Sequence, residues 1–310
     1  MKVLVTGGTG YLGSAIVHAL TRRGHDAIVF ARHASSSGLP GSRLDGDVRD
    51  TRSVTAAAAG VDAICHTAAL VSVWQRDRSA FDAINVGGLQ SALAAIRAHR
   101  IPRLVYTSSF LALPPSDSPR PLTANDYQRT KVIARDVARR AAAEGVPVVT
   151  LYPGVVYGPG RTTEGNLVAR LMTDRLHRRL PGIVGGDRTW SFAYIDDIAE
   201  AHVSALTTAA PQAEYQLGGV NAPQRAIFEF LRDARGLSVP RNIPTTLAAL
   251  AGTFEELRAA VTGRPPLLTR GVVDIFRHDW SLESADAVRD LGLQTTPLAD
   301  GLNHTLEALE

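Results

Sequence analysis

Apolar, strand-like runs alternate with Ala-rich helical stretches over residues 1–153. That alternation predicts an α/β fold, a doubly wound parallel sheet with a smaller C-terminal substrate lobe. The passage from strand to glycine turn to helix within the first twenty residues points the same way. The lobe is predicted by a change of texture after Pro153. There Pro and Gly punctuate the chain as Pro153-Gly154, Gly158-Pro159-Gly160, Pro181-Gly182 and Gly185-Gly186.

The elements follow in order. Met1-Lys2-Val3-Leu4-Val5-Thr6 reads as a strand, Gly7-Gly8-Thr9-Gly10-Tyr11-Leu12-Gly13 as a turn, and residues 14–20 as an amphipathic helix. Such a turn aims backbone N–H groups and a helix N-terminus at one point, which suits a pyrophosphate and marks a Rossmann-type unit. Gly7 serves the tight turn, Gly10 the approach of a ligand, and Gly13 the close packing of helix on strand. The spacing is G-x-x-G-x-x-G, not G-x-G-x-x-G, and a purely structural turn is the competing reading. Further strands are expected over 26–31, 61–67, 103–108 and 146–152, with a short one before Asp47. Helices are expected over 51–59, 80–99 and 127–144. Short strands at 192–195 and 214–217 flank a helix over 197–207 and are expected to return to the main sheet. Residues 1–153, rejoined by about 192–218, then form a dinucleotide-binding domain, and the remainder of 154–310 the substrate lobe.

Composition narrows the function classes. The chain has 310 residues, 45% hydrophobic and 20% charged, an ordinary globular balance. A net charge of +3, from 33 basic and 30 acidic residues, is too slight to argue for nucleic acid or an anionic membrane. No apolar run approaches the ~20 residues of a membrane span. The N-terminal apolar run ends at glycines, unlike a signal peptide. Cys65 is the single cysteine, which excludes a disulfide framework and a cysteine zinc site. A cytoplasmic protein is expected, a monomer or a homodimer with the C-terminal helices as its candidate face.

Four places carry chemistry. Arg32 follows the second strand where an NAD-binding sheet places a carboxylate for the ribose 2′-OH. An arginine suits a 2′-phosphate, so NADP(H) is preferred and NAD(H) is the alternative; a solvated arginine is the plain reading. Asp47 and Val48 follow the third strand, where the carboxylate accepts from an adenine amino group or caps the next helix. Asp45, Asp47 and Asp50 form no metal cluster, since no histidine or organised loop joins them. Tyr127 and Lys131 lie four apart on one helix face, and an ammonium beside a phenol lowers its pKa, which suits a general acid or base. Thr107-Ser108-Ser109 closes the strand before them; a serine there can donate to a substrate carbonyl, or serve the turn.

Together these residues resemble the extended short-chain dehydrogenase/reductase family, the NAD-dependent epimerase/dehydratase superfamily. The resemblance is carried by residues 6–13, Asp47, Ala68-Ala69, Asn85-Val86-Gly87, Thr107-Ser108-Ser109, Tyr127 with Lys131, and residues 153–160, and it covers almost the whole chain. Residues 151–160, Gly165-Asn166-Leu167-Val168-Ala169-Arg170 and Arg179-Leu180-Pro181-Gly182 are similar to the dihydroflavonol reductase-like branch and to plant farnesol dehydrogenases. The resemblance implies catalysis by Ser109, Tyr127 and Lys131. It implies cofactor contacts at Gly7, Gly10, Tyr11, Leu12, Gly13, Arg32, Asp47, Val48, Ala68, Asn85, Thr107, Tyr127, Lys131, Pro153, Gly154 and Val156. Hydride would pass between nicotinamide C4 and a carbonyl carbon, with Tyr127 supplying the proton, Lys131 holding the ribose and Ser109 polarising the carbonyl. The segment 110–126, which walls the substrate in this branch, is short and Pro-rich here.

Three substrate classes follow. Trp74, Phe110, Leu111, Asn166, Met172, Trp190 and Phe192 are expected around the substrate, mostly as an apolar wall. The leading expectation is an NADP(H)-preferring reductase of a small apolar or aromatic carbonyl compound, in secondary metabolism such as polyketide ketone reduction. The second is a nucleotide-sugar epimerase, the third a non-catalytic cofactor sensor. Dehydratases of the family carry Asp-Glu after the catalytic residue, where Phe110-Leu111 stands here. Epimerases carry a phosphate-gripping arginine at the position of Trp190, although Arg161, Arg170 and Arg188 remain as phosphate partners. Cys65 and His66 are expected to be buried, Asp196-Asp197 to cap a helix, and His278-Asp279 to form no hydrolase triad.

Overall fold

The computed structural model describes residues 1–161 and 163–310. Strand β1 (Lys2–Thr6) sends Val3 and Val5 to one face, against Ile16, Val17 and Leu20 of helix α1 (Tyr11–Arg22). It sends Leu4 to the other face, against Leu89, Leu93 and Ile96. A strand covered on both sides has no polar face, which is why it reads as a continuous apolar run. The chain continues through β2 (Asp26–Ala31), β3 (Ser42–Asp45), α2 (Thr51–Ala57) and β4 (Ala63–His66). A helical turn α3 (Ser79–Phe81) passes through a π turn, Asp82–Val86, into α4 (Gly87–His99). Then come β5 (Leu104–Thr107), α5 (Asp126–Ala143) and β6 (Val148–Pro153).

The second half is less regular. It runs β7 (Val155–Tyr157), α6 (Leu167–Leu176), β8 (Thr189–Tyr194), α7 (Ile195–Thr207), β9 (Glu214–Leu217) and β10 (Val220–Pro223). Five helices close it: α8 (Ala226–Arg235), α9 (Thr245–Thr262), α10 (Arg270–Phe276), α11 (Ala285–Leu291) and α12 (Leu298–Glu307). The main sheet has the order β3-β2-β1-β4-β5-β6-β9, with every neighbouring pair parallel. A second sheet, β10-β8-β7, stands beside it. Residues 214–217 thus join the main sheet as expected, but 192–195 lie at the end of β8 and the start of α7, outside it. The chain leaves the main sheet at Gly154, whose N–H still donates to Leu217 O at 3.0 Å. A side chain there would sit 2.5 Å from Ser191 O of β8, so the crossing needs glycine.

α1 and α7 cover one face of the main sheet, while α2, α4 and α5 cover the other. A third core, with Trp190, Phe192, Phe228, Trp280 and Leu302, holds the second half together. Each fully buried Val, Leu or Phe contributes roughly 1.5–3 kcal/mol. The chain leaves β1 towards β2 on one side and returns at β4 on the other. That switch opens a crevice at the carboxyl ends of the strands.

Candidate active site

Gly7 turns the chain out of β1 at φ +73°, and a Cβ there would lie 2.6 Å from Ala68 Cα in the segment after β4. A Cβ on Gly13 would run into the carbonyl of Gly7, so the helix sits directly on the turn. α1 starts at Gly10 with no side-chain cap and no acidic residue in its first turn. Its first N–H groups are therefore free for an anion. A crevice of about 840 Å³ begins there. Gly7, Gly10, Tyr11, Leu12, Gly13, Arg32, Asp47, Val48, Ala68, Thr107, Tyr127, Lys131, Pro153, Gly154 and Val156 all line it, with Ser109, Phe110, Leu111 and Trp190 further along.

At the α1 end, Asp47 does not cap α2; Asp50 does, accepting from Arg52 N at 3.0 Å. Asp47 instead accepts from Arg49 Nη2 at 2.6 Å. The Arg49 guanidinium holds the Asp47 carboxyl below the usual carboxylate range, and Arg32 adds to the same field. Arg32 thus shares its corner with a carboxylate.

At the other end, Asn125 caps α5 by accepting from Gln128 N at 2.8 Å. This sets Tyr127 and Lys131 on the face turned to the crevice. Buried Gln128 donates to Leu111 O at 3.2 Å, and Arg135 donates to Ala112 O at 2.6 Å. The two fix the 3-10 turn Phe110–Ala112 and with it Ser109, whose Oγ accepts from Leu111 N at 3.2 Å. The Ser109 O–H remains available as a donor. Lys131 Nζ donates to Thr107 O at 3.1 Å and keeps two N–H groups for other partners. Thr107 Oγ1 lies 2.9 Å from His202 Nε2, while His202 Nδ1 lies 2.7 Å from Ile198 O. A carbonyl only accepts, so Nδ1 carries the proton and Nε2 accepts from Thr107.

Burial dominates the electrostatics. It pushes the Tyr127 phenol up to about 12, with the neighbouring Ser109 hydroxyl pulling it down. It pushes Lys131 down to about 7. The expectation that Lys131 lowers the phenol is corrected: Nζ stands 5.9 Å from the Tyr127 ring centroid, and burial raises the phenol, with Ser109 rather than Lys131 opposing it. His66 falls to about 3 for the same reason, with Lys131 adding to the shift.

Five expected residues do not line the crevice. Asn85 accepts from Leu70 N at 2.7 Å and donates to Thr130 Oγ1 at 2.9 Å, which uses its amide to pin the loop after β4. Asn166 caps α6 and donates to Gly158 O at 3.1 Å. Met172 and Phe192 pack in the third core, and Trp74 lies beside the crevice without lining it. Their apolar character reflects packing. The crevice instead receives Leu267, Val272, Ile275 and Phe276 from α10 and the loop before it, together with Arg170 and Glu164. No motif marks the α10 residues in the sequence. Arg170 stands in the quoted run 165–170, and its side chain has no ion-pair partner among the described residues.

The model of the NAD dependent epimerase/dehydratase family matches residues 3–218. The chain belongs to that family. It is an NAD(P)-binding oxidoreductase acting on CH–OH/C=O carbons. A similar protein is the 2-alkyl-3-oxoalkanoate reductase of Stenotrophomonas maltophilia (strain K279a), 36% identical over 94% of each chain. Among solved structures, gox2253 superposes with a TM-score of 0.82 at 24% identity over 99% of this chain and 97% of that one. UDP-glucuronic acid 4-epimerase from Bacillus cereus, in complex with UDP-glucuronic acid and NAD, gives 0.77 at 21% identity over 100% and 99%. At such identities the likeness is one of fold.

Similar structures of this fold solved with ligands carry NAD, and two of them also a UDP-sugar. That overturns the NADP(H) preference expected from Arg32, whose corner already holds the Asp47 carboxylate. It also overturns the small apolar or aromatic carbonyl partner expected from the apolar wall. Met172, Phe192 and Trp74 do not form that wall, and charged Arg170 and Glu164 do reach the crevice. Among the described residues no helix is long and apolar enough to cross a membrane.

Proposed function

We propose that this chain is an NAD(H)-dependent oxidoreductase that interconverts a secondary alcohol and a ketone on a substrate carrying a negative charge. The observation that carries the reading is the meeting of Ser109, Tyr127 and Lys131 at the far end of the crevice that begins at Gly7. The glycine cradle, the uncapped α1 and the Asp47 carboxylate fit a dinucleotide lying from α1 towards Lys131. Bound nicotinamide supplies hydride transfer at its C4 carbon. Lys131 would hold ribose hydroxyls with its two spare N–H groups. Tyr127, protonated at neutral pH, would give its proton to the forming alkoxide. Ser109 would donate to the carbonyl oxygen, and α10 would exclude water. Residues 1–153 and β9 would carry the cofactor, and the rest of the chain the substrate.

Unpaired Arg170 is the partner proposed for the substrate's charge. A carboxylate on a 3-oxo or 3-hydroxy acid is the favoured identity, supported by the 36%-identical reductase and by Trp190, which lines the crevice at the position where the family resemblance implies an arginine in epimerases. The second reading is a nucleotide-sugar epimerase, favoured by the UDP-sugar complexes of solved members of this fold. The test is NADH consumption with 3-oxo acids, run beside epimerisation of UDP-glucose and UDP-glucuronate. Turnover of an oxo acid, lost in Tyr127→Phe and with KM raised about tenfold in Arg170→Ala, supports the first reading. Epimerisation without net NADH consumption replaces it with the second. NAD binding with neither reaction sinks both.

A further inference from the structure

Helix α9 turns an apolar face to solvent. Leu247, Leu250, Phe254, Leu257 and Val261 are 58%, 68%, 67%, 64% and 88% exposed. Their spacing is three, four, three, four, the pattern of a coiled-coil seam, whereas a helix lying on a core would bury such a stripe. The helix's charges are turned aside and occupied: Arg258 pairs with Glu255 at 2.7 Å, and Glu256 accepts from Arg270 N at 3.0 Å. By comparison, α4 and α5 together expose one large apolar side chain among the described residues, Ile133.

The seam is nearly symmetric about Phe254. Leu250 and Leu257 flank it at four and three residues, Leu247 and Val261 at seven on either side. A second copy of the helix, antiparallel across a two-fold axis, therefore meets Phe254 with Phe254, Leu250 with Leu257 and Leu247 with Val261. Leu267 follows α9 and is 90% exposed. The six side chains offer on the order of 700 Å² of apolar surface, close to the ~800 Å² per partner of a stable interface. We propose that α9 is a homodimer interface, with two copies of this chain pairing antiparallel about Phe254. A lipid surface fits less well. Helices that lie on membranes carry several basic residues, and α9 has one, Arg258, already paired. Leu267 also lines the crevice, so the partner would stand at its mouth.

Light scattering of the full chain after size exclusion at micromolar concentration should read twice 33.0 kDa. Phe254→Glu, and separately Leu250→Lys, should halve that mass without lowering the melting temperature. Orientation is read with a short bis-maleimide. Phe254→Cys alone should cross-link to a dimer, and Leu247→Cys alone should not. A mixture of Leu247→Cys with Val261→Cys should cross-link. Buried Cys65 does not compete. A monomeric wild-type chain, a dimer that survives both charge substitutions, or Leu247→Cys cross-linking alone as well as Phe254→Cys would overturn the proposal. Monomers that bind neutral phosphatidylcholine vesicles would hand the face to lipid instead.

Discussion

The two ends of the crevice are built from different material. The end at α1 is mostly backbone: a turn at Gly7, free N–H groups at a helix start, and the carboxyl ends of β1 and β4. The far wall is mostly side chains, brought from separate stretches of chain by Phe110, Trp190 and Phe276. Trp190 and Phe276 rings stand 4.7 Å apart, and Phe110 lies 6.1 Å from Trp190. A backbone site is fixed by covalent geometry and tolerates few residues at each position. A side-chain wall is fixed by packing and changes with any one of its members. A fold built this way can keep one cofactor while its substrate changes.

The largest expected effect falls between the two ends. Tyr127→Phe should lower kcat by about 10²- to 10⁴-fold while NAD affinity, read by fluorescence titration, stays put. Gly7→Val attacks the backbone end. It forces a β-branched residue to φ +73° against Ala68, and should cost about 3 kcal/mol in denaturant unfolding and abolish NAD binding. If NAD still binds, the contrast between the ends is wrong. Phe276→Ala attacks the side-chain end and should raise the substrate KM about tenfold with the NAD Kd unchanged. An equal change in both constants would mean that the ends are not separable.

The floor beneath both ends makes stability depend on pH. His66 and His202 are pushed down to about 3 and about 4 from 6.5, and Lys131 to about 7 from 10.5. Each binds fewer protons folded than unfolded, so stability rises with pH through each window. The histidine contribution is full above 6.5 and is lost as pH falls towards 3. The Lys131 limb rises between 7 and 10.5, and Lys131→Met should flatten that limb alone in a melting-temperature series. The smallest effect is Asn125→Ala, which removes the cap of α5 for about 1 kcal/mol, read by denaturant unfolding.

The same contrast explains what could be read from the chain. Gly7, Gly10 and Gly13 announce a backbone site because the turn demands those residues at that spacing. Tyr127 and Lys131 are legible because one helix fixes their relation. The parallel, doubly wound sheet follows from the alternation of strands with helices. The far wall is legible only in part: Phe110, Leu111 and Trp190 line the crevice as expected, but the α10 residues carry no signal. Ile275 and Phe276 look like any apolar residues; they share the third core with Met172 and Phe192, and only tertiary packing brings the first pair, and not the second, to the crevice. Asn85 and Asn166 looked like ligand contacts and turned out to brace loops. An amide that binds backbone and one that binds a ligand have the same sequence signature. Arg32 was misread because its companion Asp47 lies fifteen residues further on and only the fold brings their charges together.

Asn85 owes its place to the π turn at Asp82–Val86, where the helix takes one residue more than the α pitch needs. Removing one residue there would let the stretch run on as plain α-helix and swing the amide about 100° around the axis. Leu70 and Thr130 would be released together, and with Leu70 the loop that presses Ala68 against Gly7. A single-codon deletion in the π turn, whose Ile84 itself lines the crevice, would therefore act on the glycine turn as a lever, through rotation of one helix.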